Sequence, residues 1–207
     1  MTVMTPKFGL GASVLRLEDD RLLRGAGQYT DDESRPDMLH AAVVRSPHAS
    51  ARFTIADLEA AKAAPGVRLV LTHADVAELG DIPCLGKPAM ADGNAFAARN
   101  APVLCKDTVR HVGDAVAFVV ADTAMQAKDA AELVTVEYEP LDAVADLEAV
   151  MGEGAPLVWP EAGSNVAGRM HVGDAAATRA AFDAAARTVR IDLVQNRLVC
   201  NYMEVRS

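Results

Sequence analysis

The stretch that decides the fold is Thr108–Leu141, TVRHVGDAVAFVVADTAMQAKDAAELVTVEYEPL. It opens with a short strand-like run and bends at Gly113. It then continues as AVAFVVA, seven apolar residues rich in β-branched and aromatic side chains, too short for a buried helix. Asp122-Thr123 supplies a cap for the following AMQAKDAAELV, where Ala124, Ala127, Ala131 and Val134 recur at helical spacing. TVEYEPL (Thr135–Leu141) returns as a strand, with Glu137 and Glu139 sharing one face. The segment therefore predicts a strand, a glycine bend, a strand, a helix and a strand in succession.

Moving toward the N-terminus, Ala74–Leu79 reads as a short helix and VRLVLT (Val67–Thr72) as a buried strand. Asp57 is placed to cap a helix running to about Ala64, which Pro65-Gly66 ends. SARFTI (Ser50–Ile55) alternates as a second strand, and MLHAAVVR (Met38–Arg45) is a strand bounded by Pro36 and by Ser46-Pro47. Residues 1–24 read as an extended arm with a short helical turn. In it Leu15, Leu17, Leu22 and Leu23 are available to dock on a neighbour.

Between these strands lies GDIPCLGKPAMADGNAFAARNAP (Gly80–Pro102), dense in Gly, Pro, Asn and Asp; a loop this long in a compact domain usually carries function or is covered by a partner. Toward the C-terminus, Gly and Pro rise again in 146–164, which reads as a linker. Beyond it the pattern predicts a strand near Val166–His171, a helix Ala175–Ala185 capped by Asp174, and a strand in RTVRIDLVQNRL. The chain stops at CNYMEVRS without a closing element. Val189, Ile191, Leu193 and Leu198 are expected to be exposed there, and in the isolated chain either to drive self-association or to leave the last segment mobile.

Composition narrows the function classes. Of 207 residues 51% are hydrophobic, enough for a core. The 20 Lys and Arg against 29 Asp and Glu give a net charge of −9, with the acids scattered. That balance argues against nucleic acid or an anionic membrane as main partner, because both need a basic stripe. No run approaches the roughly 18–20 apolar residues of a membrane span. The N-terminus lacks a signal-peptide apolar core, so the expected address is the cytoplasm. Cys84, Cys105 and Cys200 are odd in number and far apart, which predicts neither a disulfide framework nor an iron–sulfur site.

Candidate chemistry reduces to simpler readings. GAGQYT lacks the third glycine of a dinucleotide fingerprint, with Thr30 in its place, and neither follows a strand nor opens a helix. Gly25 and Gly27 are instead expected to supply positive-φ freedom, with Asp31 and Asp32 bonding backbone amides in the next turn. His40, His48, His73, His111 and His171 have no metal-ligand spacing. His48, in RSPHAS beside Arg45 and Ser46, stands out, and a turn-stabilising role is its simplest reading. Glu137 and Glu139 mark a solvated strand face, and no serine or cysteine shows an activating partner. The residues by themselves carry no catalytic, cofactor-binding or metal-binding assignment.

Taken together, GASVLRLEDDRLLRGAGQYTDD, MLHAAVVRSPHASARF, PGVRLVLTHADV, APVLCKDTVRHVGDAVAFVVADTAMQAKDAAELVTVEYEPLDAV and NRLVCNYMEVR resemble the N-terminal part of the large subunit of the molybdenum hydroxylases, the xanthine dehydrogenase, aldehyde oxidase and aerobic carbon monoxide dehydrogenase family. The family pattern R-x-E-D-x-R-L-L-x-G-x-G-x-Y-x-D-D is matched by Arg16, Glu18, Asp19, Arg21, Leu22, Leu23, Gly25, Gly27, Tyr29, Asp31 and Asp32. R-S-P-H-A is matched by Arg45–Ala49, V-R-x-V-G by Val109, Arg110, Val112 and Gly113, and M-E-x-R by Met203, Glu204 and Arg206. The chain departs at Asp37, where glycine is usual, and at Ala115 and Val205, where proline is usual.

The resemblance implies an α+β fold: an α/β hammerhead domain over 25–145, the linker 146–164, and at 165–207 an incomplete start of the molybdenum-cofactor-binding domain. It implies a structural and subunit-interface portion of an oxidoreductase that, when complete, hydroxylates an aldehyde, N-heterocycle or CO-type substrate. Molybdopterin cytosine dinucleotide would be held elsewhere in the complete enzyme, the chain alone being inactive, and the partners would be the rest of the molybdenum subunit with iron–sulfur and flavin subunits. A free-standing hammerhead scaffold or small-molecule-binding module without redox chemistry is the alternative.

Overall fold

The computed structural model describes residues 9, 14–86, 88, 90, 93, 96–97, 99–195, 198 and 202. Cys200 and the M-E-x-R residues Met203, Glu204 and Arg206 fall outside them. Two units are distinguished. The first is Asp37–Val189; the second pairs Met1–Pro36 with Arg190–Ser207.

In the second unit helix α1 spans Asp19–Leu23, and Arg24 closes its last turn by an ion pair to Asp20, four residues earlier, at 2.7 Å. Leu15, Leu17 and Leu23 are exposed. Gly25 has φ +69°, the left-handed conformation the sequence predicts. Gly27 does not share it. Its requirement is steric, because a Cβ there would lie 2.7 Å from Leu22 Cδ2. A 3₁₀ turn, Thr30–Asp32, follows, and the Asp32 carboxylate accepts from the Tyr29 amide at 2.9 Å.

The first unit is built from strands β1 (His40–Arg45) and β2 (Ala51–Asp57), helix α2 (Glu59–Lys62), strand β3 (Val67–Leu71), helix α3 (His73–Val76), strands β4 (Thr108–Val109) and β5 (Ala115–Ala121), helix α4 (Ala124–Glu132), strand β6 (Thr135–Pro140) and helix α5 (Ala175–Ala184). The strands form two antiparallel three-stranded sheets, ordered β1-β5-β3 and β4-β2-β6. The fold is therefore α+β.

Strand β5 is where the two sheets' interiors meet. Successive side chains of a strand point to opposite faces. Ala117 and Val119 enter a core with Ala61, Val70, Ala130 and Val134, while Val116 enters a second core with Ala51, Phe53, Cys105 and Val109. Ile55 and Val136 pack against both clusters. Helix α4 begins where Thr123 Oγ1 accepts from the Gln126 amide at 3.2 Å. Its Ala127 and Ala130 are fully buried, and their small side chains allow a close helix–sheet approach.

Several expectations need correcting. Val67–Leu71 is an edge strand in which only Val70 is buried, because it pairs on one side alone. The capping position of α2 is Leu58, although the Asp57 carboxylate accepts from the Glu59 amide at 2.9 Å. No strand forms at 166–171 or among the described residues of 187–198. An alternating pattern needs a neighbouring strand to become sheet. Helix α5 forms as expected, with Asp174 Oδ1 accepting from the Ala177 amide at 2.9 Å, yet buries no residue.

Candidate functional site

The histidines take separate structural positions. Ser46, 2% exposed, closes the RSPHAS turn: its Oγ accepts from the His48 amide at 3.0 Å and donates to the His48 carbonyl at 3.1 Å. The His48 ring lies 4.9 Å from that of Tyr138, and Arg45 donates from Nη1 to the Gly113 carbonyl at 2.8 Å. His48, Arg45 and Ser46 thus fasten a turn. His73 Nδ1 is 3.0 Å from the Leu104 carbonyl; a carbonyl only accepts, so that nitrogen carries the proton. His111 Nδ1 meets Asp114 Oδ1 at 3.0 Å.

Glu137 and Glu139 lie on the exposed face of β6, as the alternation predicts, and Arg52 reaches Glu139 at 3.9 Å. Cys105 is buried, and burial first, then the Asp114 charge, pushes its thiol up to about 12, so it stays protonated and unreactive. Burial also raises Tyr138. Asp75 is held below the usual carboxylate range by the Thr72 amide and hydroxyl. No three His, Cys, Asp or Glu side chains converge to hold a metal ion among the described residues.

The structure concentrates polar chemistry elsewhere, around the sole tryptophan. Asn165 gathers its segment: its Nδ2 donates to the carbonyls of Val150 at 3.1 Å and Pro156 at 2.9 Å, and its Oδ1 accepts from the Val158 amide at 2.9 Å. This presents Trp159 to Arg110, whose guanidinium carbon lies 3.8 Å from the ring centroid; that of Arg99 lies at 5.8 Å. Such stacking is a cation–π contact.

Two open grooves of about 430 and 380 Å³ meet at Arg99 and Trp159. The larger is lined by His73, Asp81, Asn100, Lys106, Asp107 and Arg110 among others. The smaller, lined by Cys84, Phe96, Ala97 and Val158, runs along Gly80–Pro102. That segment is tied at its base by paired backbone hydrogen bonds between Ile82 and Ala101, at 2.8 and 3.0 Å. Its Ala97 amide donates to the Ala167 carbonyl at 2.8 Å.

The grooves can bind and orient. Among the described residues they bring together no nucleophile with an activating base, so bond-breaking chemistry is not assigned to them. The sequence signal for this site was the only tryptophan, standing in a Gly/Pro-rich stretch. Arg110 was visible only as part of V-R-x-V-G, since nothing local marks its contact 49 residues along the chain.

Residues 24–142 match the family model for aldehyde oxidase and xanthine dehydrogenase, a/b hammerhead domain. The chain is 41% identical over 167 residues to the nicotine 6-hydroxylase large subunit of Paenarthrobacter nicotinovorans, covering 80% of this chain and 20% of that protein. It is 37% identical over 188 residues to the carbon monoxide dehydrogenase large chain of Afipia carboxidovorans, covering 84% and 22%. Among solved structures, quinoline 2-oxidoreductase from Pseudomonas putida 86 superimposes with a TM-score of 0.62 at 43% identity, over 72% of this chain and 18% of that one. The chain thus spans about a fifth of the length of these relatives.

Proposed function

The chain belongs to the aldehyde oxidase and xanthine dehydrogenase family, and from that premise we infer that it serves as the hammerhead portion of a molybdenum hydroxylase large subunit, a supporting part of an oxidoreductase. One observation carries this reading. The paired strands inside the matched region bury their own two cores, whereas Met170, Val172, Phe182, Val189, Ile191 and Leu193, which follow, stand exposed. Exposed apolar side chains in such number are a surface for other protein to cover.

No chemical step is assigned to this chain's own residues. In the complete assembly we place molybdopterin cytosine dinucleotide in the remaining polypeptide, where it would supply the oxidative hydroxylation. Iron–sulfur and flavin subunits would carry the electrons away, and the working compartment would be the cytoplasm. This chain's own contribution is position. The Ile82–Ala101 pair closes the base of Gly80–Pro102 on itself, and that segment lines the approach to the substrate. The 25–145 body, the 146–164 connection and the 165–207 start of the cofactor domain are the corresponding divisions.

Two measurements test this. The purified 207-residue chain should neither turn over substrate nor hold molybdenum in stoichiometric amount; stoichiometric metal in the chain alone would sink the supporting role. In the complete enzyme, replacing residues 84–99 by a short Gly-Ser turn while keeping Ile82 and Ala101 should change the ratio of kcat/KM between two substrates at unchanged molybdenum content. An unchanged ratio would remove the segment from the substrate path.

A further inference from the structure

The Arg110 guanidinium is held on the Trp159 face at 3.8 Å, so its plane is fixed before anything binds. Its Nε is buried and has no hydrogen-bond partner. A buried donor of a charged group left without an acceptor is unfavourable, so Arg110 keeps a full positive charge with no acceptor for its Nε, a charge that draws an anion to its guanidinium. Asp114 is near but engaged otherwise: its Oδ2 accepts from the backbone amides of Arg110 at 2.6 Å and His111 at 3.3 Å, and its Oδ1 meets the His111 ring.

The groove beside Arg110 is set up for the same kind of ligand. Lys106 lines it, and among the described residues no carboxylate lies within ion-pair distance of Lys106 or Arg110. Asn100 also lines it; its Oδ1 accepts from the Cys84 amide at 3.1 Å, which leaves its NH₂ to donate. Of the remaining charges, Arg99 is 3.9 Å from Glu161, Asp107 accepts from the Thr108 hydroxyl at 2.9 Å, and Asp81 and His73 line the wall. At about 430 Å³ the groove suits a small molecule.

We propose that Arg110, Lys106 and Asn100, with Arg110 braced by Trp159, form a binding site for a small oxyanion, a carboxylate or a phosphate group. Arg110 supplies the directed donor, Lys106 a point charge, and Asn100 a neutral donor. The site stands independently of the catalytic reading, since it uses only residues of this chain.

The sole tryptophan makes the test direct. Trp159 emission of the 207-residue chain is followed while sodium phosphate or sodium succinate is added, against sodium chloride at matched ionic strength. The expected result is a saturable change with phosphate, succinate or both, the tighter of the two identifying the ligand class. Arg110→Gln should weaken it about tenfold or more, the loss a charge-assisted hydrogen bond carries. Because Arg110→Gln also releases the tryptophan face, Lys106→Gln is the second variant; it leaves the stacking intact and should weaken binding severalfold, while the distant Lys128→Gln leaves it unchanged. A response reproduced by chloride, the absence of a saturable response, or wild-type affinity in both Arg110→Gln and Lys106→Gln would overturn the proposal.

Discussion

Gly66→Ala tests how the edge strand β3 is locked to helix α4. Gly66 has φ +78°, and an L side chain there carries about 1–2 kcal/mol of left-handed strain. The methyl would also land on the side-chain amide of Gln126, 2.5 Å from its Cδ. That amide is not free to swing aside without loss, because its Oε1 accepts from the Thr123 hydroxyl at 3.0 Å, a bond of about 0.5–1.5 kcal/mol. The two contributions give roughly 2–3 kcal/mol in total, a large share of the 5–15 kcal/mol typical of a domain. Urea denaturation followed by far-UV circular dichroism measures it. On a Gln126→Ala background the collision disappears and only the strain of about 1–2 kcal/mol should remain, a coupling of about 1 kcal/mol. Equal costs in both backgrounds would refute the collision, and a cost below about 0.5 kcal/mol would refute the left-handed geometry as well.

Asp37 is the one described non-glycine residue with positive φ, at +61°. Asp37→Gly should raise stability by about 0.5 kcal/mol, strain relief exceeding the entropy glycine adds to the unfolded chain, while Asp37→Val should lower it by about 1–2 kcal/mol; denaturation midpoints decide. The Cys105 thiol is raised from 9.0 to about 12 by burial. Above its ordinary value the unfolded chain therefore loses the proton while the folded chain keeps it. Stability is full below pH 9 and falls as pH rises toward 12, by at most about 4 kcal/mol for 12 − 9 = 3 pH units. Alkaline denaturation should show this slope, Cys105→Ala should flatten it, and native Cys105 should resist thiol labelling at pH 8. Asn165→Ala removes three hydrogen bonds to Val150, Pro156 and Val158 and should cost about 2–4 kcal/mol, with Trp159 emission shifted to the red as its segment loosens. Unchanged emission would mean that Asn165 does not position Trp159.

What the sequence revealed was whatever local periodicity encodes. Ala115–Ala121, Ala124–Glu132 and Thr135–Pro140 lie where their patterns put them, because a run of β-branched residues, a capped alanine stripe and a period of two each act within one element. Pairing did not follow from pattern. MLHAAVVR and SARFTI are neighbours in sequence but enter different sheets, since β1 finds its partner 70 to 81 residues away in β5. The same limitation explains 187–198, where alternation alone predicted a strand. Gly27 shows a further ambiguity, because a required glycine reads the same whether φ or a neighbouring Leu22 methyl demands it.

The Trp159 site is the extreme case of that limitation, and it suggests why a hammerhead body would carry one. Arg110 is fixed by the backbone between β4 and β5, close to the second core. Trp159 comes from a segment with only short 3₁₀ turns, whose shape depends on Asn165 collecting three backbone groups. A rigid cation and an aromatic ring on an irregular segment meet only after both parts have folded, so their contact reports the join between them. An anion seated at Arg110 would then stabilise the fixed and the irregular part together, by an amount set by its concentration over its dissociation constant. Thermal melts of Asn165→Ala and wild type with and without phosphate separate the two ideas: if site and segment are linked, the variant binds phosphate more weakly and its deficit against wild type should grow with phosphate concentration, and if anion binding is indifferent to the segment, the deficit should be the same at every concentration.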